Sequence, residues 1–398
     1  MRNVHAPVWL GSVSRPTAGA FLTLFTLEAS CRALLMSVIP LTVHGILKDA
    51  QLVSLVYLGV SFVGLVASLG IPSLVYMLKR RWVVTIGAAF MVAAACLFAM
   101  GGLVPTIAGL GCQIVGTACL EIPLNLYLMD HVPRQDMGRF EPKRLVFAGG
   151  MFIIGPWLGV FMASNIATWA PFLVVGTSAV LLIGYFWFLR ITDAPAVTAK
   201  LKPPPNPVAF LPRFFSQPRL RLAWGLAIGR TGWWIMFFVY TPIYVTEMGF
   251  SQEKAAAVVS VGTAAMLLVP LWGHLGRKYG FRALLSTGYL LTGVVSIAVT
   301  VLGFMDLPWG VLALLVAAGA SATVMDGAGN VPFLRAVHPF ERDQMTSVFV
   351  TFRHVANIAA PGLLAAVLSF AALPAVFATG GLAMFGMAGL SRFLHKRM

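Results

Sequence analysis

Charge is scarce in this sequence. Only 10% of its 398 residues are Asp, Glu, Lys or Arg, and just 13 are acidic. An ordinary soluble domain carries about 25% charged residues. With 59% hydrophobic residues and a mean hydropathy of +0.87, the chain cannot clothe a water-facing surface. A soluble globular protein is therefore excluded. Cysteine is sparse too. Cys31, Cys96, Cys112 and Cys119 all lie inside apolar runs and none forms a CxxC pair. They read as small packing residues, not as a disulfide framework or metal site. There is no P-loop, no HExxH and no GxSxG, and no polar stretch long enough to form a soluble domain around one. An enzyme is not expected, and no cofactor or metal is implied. Nor is a cleavable signal peptide expected, because the first apolar run is too long and carries charge. It is expected to act as an uncleaved signal.

What the sequence does hold is long hydrophobic runs. The first, residues 18–47, carries Glu28 and Arg32 in its middle. At about 1.5 Å per residue it exceeds the roughly 30 Å hydrocarbon core of a bilayer. A charge at mid-bilayer costs at least about 2.5 kcal/mol, so both groups must face each other, a partner helix or water. Their i, i+4 spacing puts them on one face. That face is expected to line a water-filled path.

Further runs cover about 51–78, 82–103, 106–129, 145–165 and 170–189. Residues 190–218 then form one long connection, with Lys200, Lys202, the run Pro203-Pro204-Pro205, Pro207 and Arg213. Proline at that density cannot continue a helix, so residues 190–218 are the expected linker between two halves, 1–189 and 219–398. The second half repeats the rhythm near 219–246, 254–273, 283–304, 308–334, 345–370 and 373–391. The expected fold is all-α and polytopic, with twelve transmembrane helices in two pseudo-symmetric six-helix bundles.

Of the 28 Lys and Arg residues, 23 fall in the termini, the linker and the loops on one face of such a layout. Lys48 and Lys254 alone fall on the other, and Arg32, Arg230 and Arg353 lie within spans. This bias places both termini and the linker in the cytoplasm, in a bacterial-type inner membrane. It also accounts for the net charge of +15 without nucleic acid.

The halves correspond in detail. At an offset of 202, Pro40 meets Pro242 and Glu28 meets Arg230. Glu121 is followed at i+4 by Asn125, and Asp326 at i+4 by Asn330. GPWLG at 155–159 matches APGLL at 360–364.

Two such halves joined by a basic linker resemble the major facilitator superfamily over essentially the whole chain. The run GHLGRKYGFR, from Gly273 through Arg277 and Gly280 to Arg282, is similar to that family's loop signature G-x-L-[AG]-D-R-x-G-R. Gly155, Pro156 and Gly159 in span five resemble the GPxxG core of the antiporter signature of drug:proton exporters. Two departures stand out. Arg277 replaces the acid of the loop signature, and the exporter arginine of span four is missing, with Leu110 three residues before Gln113.

The resemblance implies a secondary transporter working by alternating access, with spans one, four, seven and ten lining a central cavity. Glu28, Arg32, Glu121, Arg230 and Asp326 all fall in that set, and Arg353 lies in span eleven. Counting helical rise puts Glu28, Arg32 and Arg230 near the midplane, where such transporters bind substrate. It puts Glu121 and Asp326 about 22–27 Å from the outer ends of their helices. The candidate substrate-binding residues are Glu28, Arg32, Arg230, Trp233, Trp234, Gln113, Asn125 and Asn330. Trp233 and Trp234 follow Arg230 at i+3 and i+4, where an arginine with aromatic neighbours suits an anionic group on an apolar body. Glu121, Asp326, Arg353 and His354 are candidates for proton coupling or gating. Gly155, Pro156, Gly159, Gly273, Arg277 and Gly280 are candidate conformational motifs. The leading expectation is proton-coupled export of a small amphipathic compound. The rivals are uptake or facilitated transport of an organic anion, and a non-transporting sensor or scaffold. A monomer in the lipid bilayer, with a small-molecule substrate and protons as partners, is expected.

Overall fold

The computed structural model describes residues 18–131, 134–189, 207–338 and 341–394. Twelve apolar helical spans account for most of them. Ten are long and apolar enough to cross a membrane, and two shorter apolar helices, Phe352–Leu368 and Ala375–Ser391, complete the set.

Span one is two helices, α1 (Ala18–Ala33) and α2 (Leu35–Leu47), parted at Leu34. Spans two to six are α3 (Ala50–Leu78), α4 (Arg80–Met100), α5 (Leu103–His131), α6 (Arg134–Asn165) and α7 (Ala170–Phe188). A short helix, α8 (Pro207–Phe215), precedes span seven, α9 (Pro218–Glu247). Span eight is α10 (Gln252–Ala264), a 3-10 turn at Ala265–Leu268, and α11 (Val269–Tyr279). Span nine is α12 (Phe281–Phe304). Span ten is α13 (Pro308–Asp326) and α14 (Val331–Ala336), and span eleven α15 (Arg342–Phe349) and α16 (Phe352–Leu368). Span twelve is α17 (Ala375–Ser391).

Local chemistry sets the helix starts at the end opposite the linker. Asp49 caps α3 by accepting from the Gln51 and Leu52 amides at 2.7 and 3.4 Å. Ser251 caps α10 by accepting from the Lys254 amide at 3.3 Å. Each side chain satisfies donors that the first helical turn leaves open.

Two observations differ from the sequence expectation. The mixed-charge stretch 130–144 between two apolar runs reads as a loop, yet α5 runs on to His131 and α6 is helical from Arg134. The apolar run ends at the membrane boundary, but a helix needs no apolar side chains to continue into the polar zone. Within the expected linker, Pro207–Phe215 is helical. Pro207 stands at its first position, where the missing amide is harmless. The remaining linker residues, 190–206, lie outside the described set.

The exterior is apolar, as a lipid-facing surface must be. Phe62, Val66, Leu69, Val180, Leu181, Leu291, Val294, Phe304 and Leu382 are all exposed. The halves meet at the end opposite the linker, where α10 packs on α6, α9 on α2, and α16 on α3. Tyr240 and Ser54 share a buried hydroxyl hydrogen bond there. Ser260 Oγ accepts from the Trp157 amide at 3.0 Å, and Thr263 Oγ1 donates to the Phe152 carbonyl at 3.3 Å. Nearer the rim, His44 Nε2 lies 3.2 Å from Glu247 Oε1, and Asn165 Nδ2 donates to Glu253 Oε1 at 2.5 Å.

A polar cavity between the halves

Below this seal lies a cavity of about 810 Å³ lined by spans one, two, four, seven, ten and eleven. Its wall carries Arg32, Glu121, Arg230, Asp326 and Arg353, with Asn125, Asn330, Asn357 and His354. These groups form two clusters on opposing sides.

On the first-half side, Arg32 Nε lies 2.7 Å from Glu28 Oε1 and its Nη2 donates to Oε2 at 3.1 Å. The Glu28 side chain is only 4% exposed, so this carboxylate is wholly committed to its pair. The Arg32 guanidinium also stands 5.3 Å from the centre of the Phe152 ring. Glu121 faces Arg353 across the cavity at 2.8 Å, an ion pair that joins span four to span eleven. Asn125 donates to the Glu121 carbonyl at 2.8 Å and accepts from Arg144 at 3.3 Å.

On the second-half side, span ten breaks after Asp326, through Gly327 to Asn330, with Gly329 at φ +50°. Arg230 bridges the break. Its Nη1 donates to the Gly329 carbonyl at 2.8 Å, its Nη2 to Asn330 Oδ1 at 3.4 Å, and its Nε lies 3.6 Å from Asp326 Oδ1. The other Asp326 oxygen accepts from Trp234 Nε1 at 3.0 Å. A helix interrupted in an apolar medium frees carbonyls that need donors, and the arginine fork supplies them.

The expected separation by depth is corrected here. Arg230 was placed at the midplane and Asp326 nearer the linker end, yet the two are paired. Counting from the far ends of their helices, about 26 and 27 Å at 1.5 Å per residue, puts them in one layer with Glu28 and Glu121. Span seven is 30 residues long, so its middle is not the middle of the bundle.

The remaining candidates are distributed unevenly. Trp233 lies away from the cavity, 2% exposed, donating to Ser296 of span nine at 3.1 Å and stacking on Phe237. Adjacent helical positions point about 100° apart, and spacing alone could not say which indole would face inward. Gln113 is outside the lining, which begins one residue later at Ile114. Gly155 and Gly159 press span five onto span one. A Cβ on Gly155 would lie 2.7 Å from that of Ala33, and one on Gly159 would overlap the Leu34 carbonyl. Pro156 lies between them. Gly273 packs against the Gly327 carbonyl, linking span eight to the break in span ten. Gly280 ends α11 at φ +93°, a backbone that favours glycine, and Arg277 occupies the last turn of that helix.

Sequence reasoning missed several groups at this site. Arg144 falls in the charged stretch before an apolar run, and that position signals its entry into the span. Ser61, Gly64 and Ser68 line the cavity from span two. Their i, i+3, i+7 spacing marks a small, polar stripe within an apolar helix. Asn357, one turn after Arg353, was also overlooked. Among the described residues, no group of three or more His, Cys, Asp or Glu comes together as a metal site would require.

Comparison with known proteins agrees with this architecture. Among solved structures, a POT family transporter in complex with 5-aminolevulinic acid superposes with a TM-score of 0.70 at 12% identity, covering 93% of this chain and 94% of that one. The nucleoside transporter NupG gives 0.71 at 13% identity, covering 95% and 98%. A D-xylose-proton symporter gives 0.70 at 13% identity, covering 95% and 96%. At such identities the likeness is one of fold. No curated protein matches the sequence. The Major Facilitator Superfamily sequence profile matches residues 17–361, and the chain belongs to that superfamily.

Proposed function

We propose that this protein is a secondary transporter that carries a small polar organic solute bearing an anionic group, by alternating access and with protons as the coupling ion. One observation carries the reading. Five charged side chains and three asparagines line a single cavity between two halves that are sealed at the opposite end. Such a wall suits a solute that can replace water's hydrogen bonds, and buried ionisable groups in a membrane span mark a transport path. The basic-residue bias favours a cytoplasmic linker, and so a cytoplasmic side for the end opposite the seal, in an inner membrane. A periplasm-only reporter fused after Met398 is expected to stay silent, and an active fusion would reverse the orientation.

A second reading, export of an amphipathic compound in exchange for protons, is favoured by the Gly155-Pro156-x-x-Gly159 motif alone. Reconstitution into vesicles separates the two. Inward movement of organic anions driven by an inward proton gradient supports the first reading, and outward movement of amphipathic compounds against it supports the second. Ligand binding with no flux of either kind would leave a sensor with a transporter fold.

A further inference from the structure

The sequence directs attention to Arg230 as the substrate contact, but the structure gives that residue other work. All three of its reaches end on span ten, at Gly329, Asn330 and Asp326, and its side chain is only 13% exposed. Arg353 is the opposite case. Its side chain is 57% exposed, and its partner across the cavity, Glu121, is 31% exposed. We infer that the Arg353–Glu121 pair is the entry point of the substrate, with a small organic monoanion of the carboxylate type displacing Glu121 from the Arg353 guanidinium. This assignment rests on the transport reading above and names the site and solute class within it.

The surroundings support the exchange. Asn357 and His354 lie beside Arg353 on the cavity wall, offering hydrogen bonds to a ligand held there. When released, Glu121 is not stranded, because Arg32 and Arg144 both act on it electrostatically. A cationic ligand would have the reverse effect. It would take Glu121 and leave Arg353 without its partner. The planar guanidinium fork of Arg353 matches the two oxygens of one carboxylate. Since Glu121 belongs to the first half and Arg353 to the second, the exchange breaks an ionic strut between the halves at the moment a ligand arrives. Substrate binding is thereby tied to the freedom of the halves to move.

Competition has an unusual consequence. In the empty protein Glu121 occupies the ligand's seat, so removing its charge makes the seat more available. The test uses the purified full-length chain and three matched pairs, benzoate with benzamide, propionate with propionamide, and gluconate with gluconamide. At least one carboxylate is expected to bind where its amide does not. Glu121→Gln should tighten that carboxylate's Kd about fivefold or more, and Arg353→Gln should weaken it more than about tenfold. Arg353→Lys, keeping the charge without the fork, should fall between wild type and Arg353→Gln. Unchanged or weaker binding in Glu121→Gln overturns the proposal. So does unchanged affinity in Arg353→Gln, equal binding of amides, or no carboxylate binding at all. Alternating access is scored separately, by labelling single cysteines at each end of the cavity. Loss of alternation with anion binding intact would fail the transport reading alone.

Discussion

Trp234 donates its indole N–H to one oxygen of Asp326 at 3.0 Å while Arg230 stands 3.6 Å from the other. The carboxylate at the break of span ten is thus held from span seven on both sides, and the arginine that holds it also closes the break. A discontinuous helix is kept in register by a continuous one.

Removing the indole donor tests this arrangement. Trp234→Phe preserves the packing against Phe237 and Phe238 but leaves a carboxylate oxygen without its partner. A loss of about 1–2 kcal/mol in unfolding free energy is expected. Trp233→Phe, which vacates a bond to a neutral hydroxyl, should lose less. Thermal unfolding of the two purified variants makes the comparison, and equal losses would count against the carboxylate clamp.

Glu28→Gln should cost more folding stability than Arg353→Gln, whose ion pair is far more exposed. Glu28 is the buried partner of Arg32, so its neutralisation strands a guanidinium in a low-dielectric wall. At matched expression, lower thermal stability and reduced transport are expected together. Wild-type stability in Glu28→Gln would show that Arg32 finds an adequate partner elsewhere.

Gly159 is expected to tolerate no side chain. A Cβ there meets the Leu34 carbonyl, where span one is parted, whereas one on Gly176 meets Ala95 Cβ at an ordinary 3.5 Å. Gly159→Ala should therefore cost on the order of 1–3 kcal/mol and Gly176→Ala close to nothing. Both are read from the yield of monodisperse protein and its melting temperature.

Tyr240→Phe removes a hydroxyl bond that crosses the sealed end. One such bond contributes about 1 kcal/mol, enough to shift a two-state population about fivefold. In a background lacking the native cysteines, a cysteine replacing the buried Ser37 of α2 should react faster with an impermeant thiol reagent added from the sealed side. An unchanged rate would remove Tyr240 from the seal.

The class of the molecule was legible in the sequence because the bilayer permits so few solutions. Apolar runs long enough to span it must be helices, and buried charges must avoid lipid. Twelve spans and the long break between the sixth and seventh follow from those two constraints, whereas the gathering of Arg32, Glu121, Arg230 and Asp326 at one cavity was expected from the family resemblance. Side-chain partnership did not follow. Whether Trp233 or Trp234 faces inward depends on the rotation of span seven, which its packing against spans eight, eleven and twelve and the Trp233–Ser296 bond decide. Arg230 meets the Gly329 carbonyl and Asn330 because span ten breaks after Asp326, and Arg144 meets Asn125 because α6 runs on beyond its apolar stretch. Rotation, breakage and overhang are settled by contacts between helices distant in sequence, and no periodicity along a single helix records them.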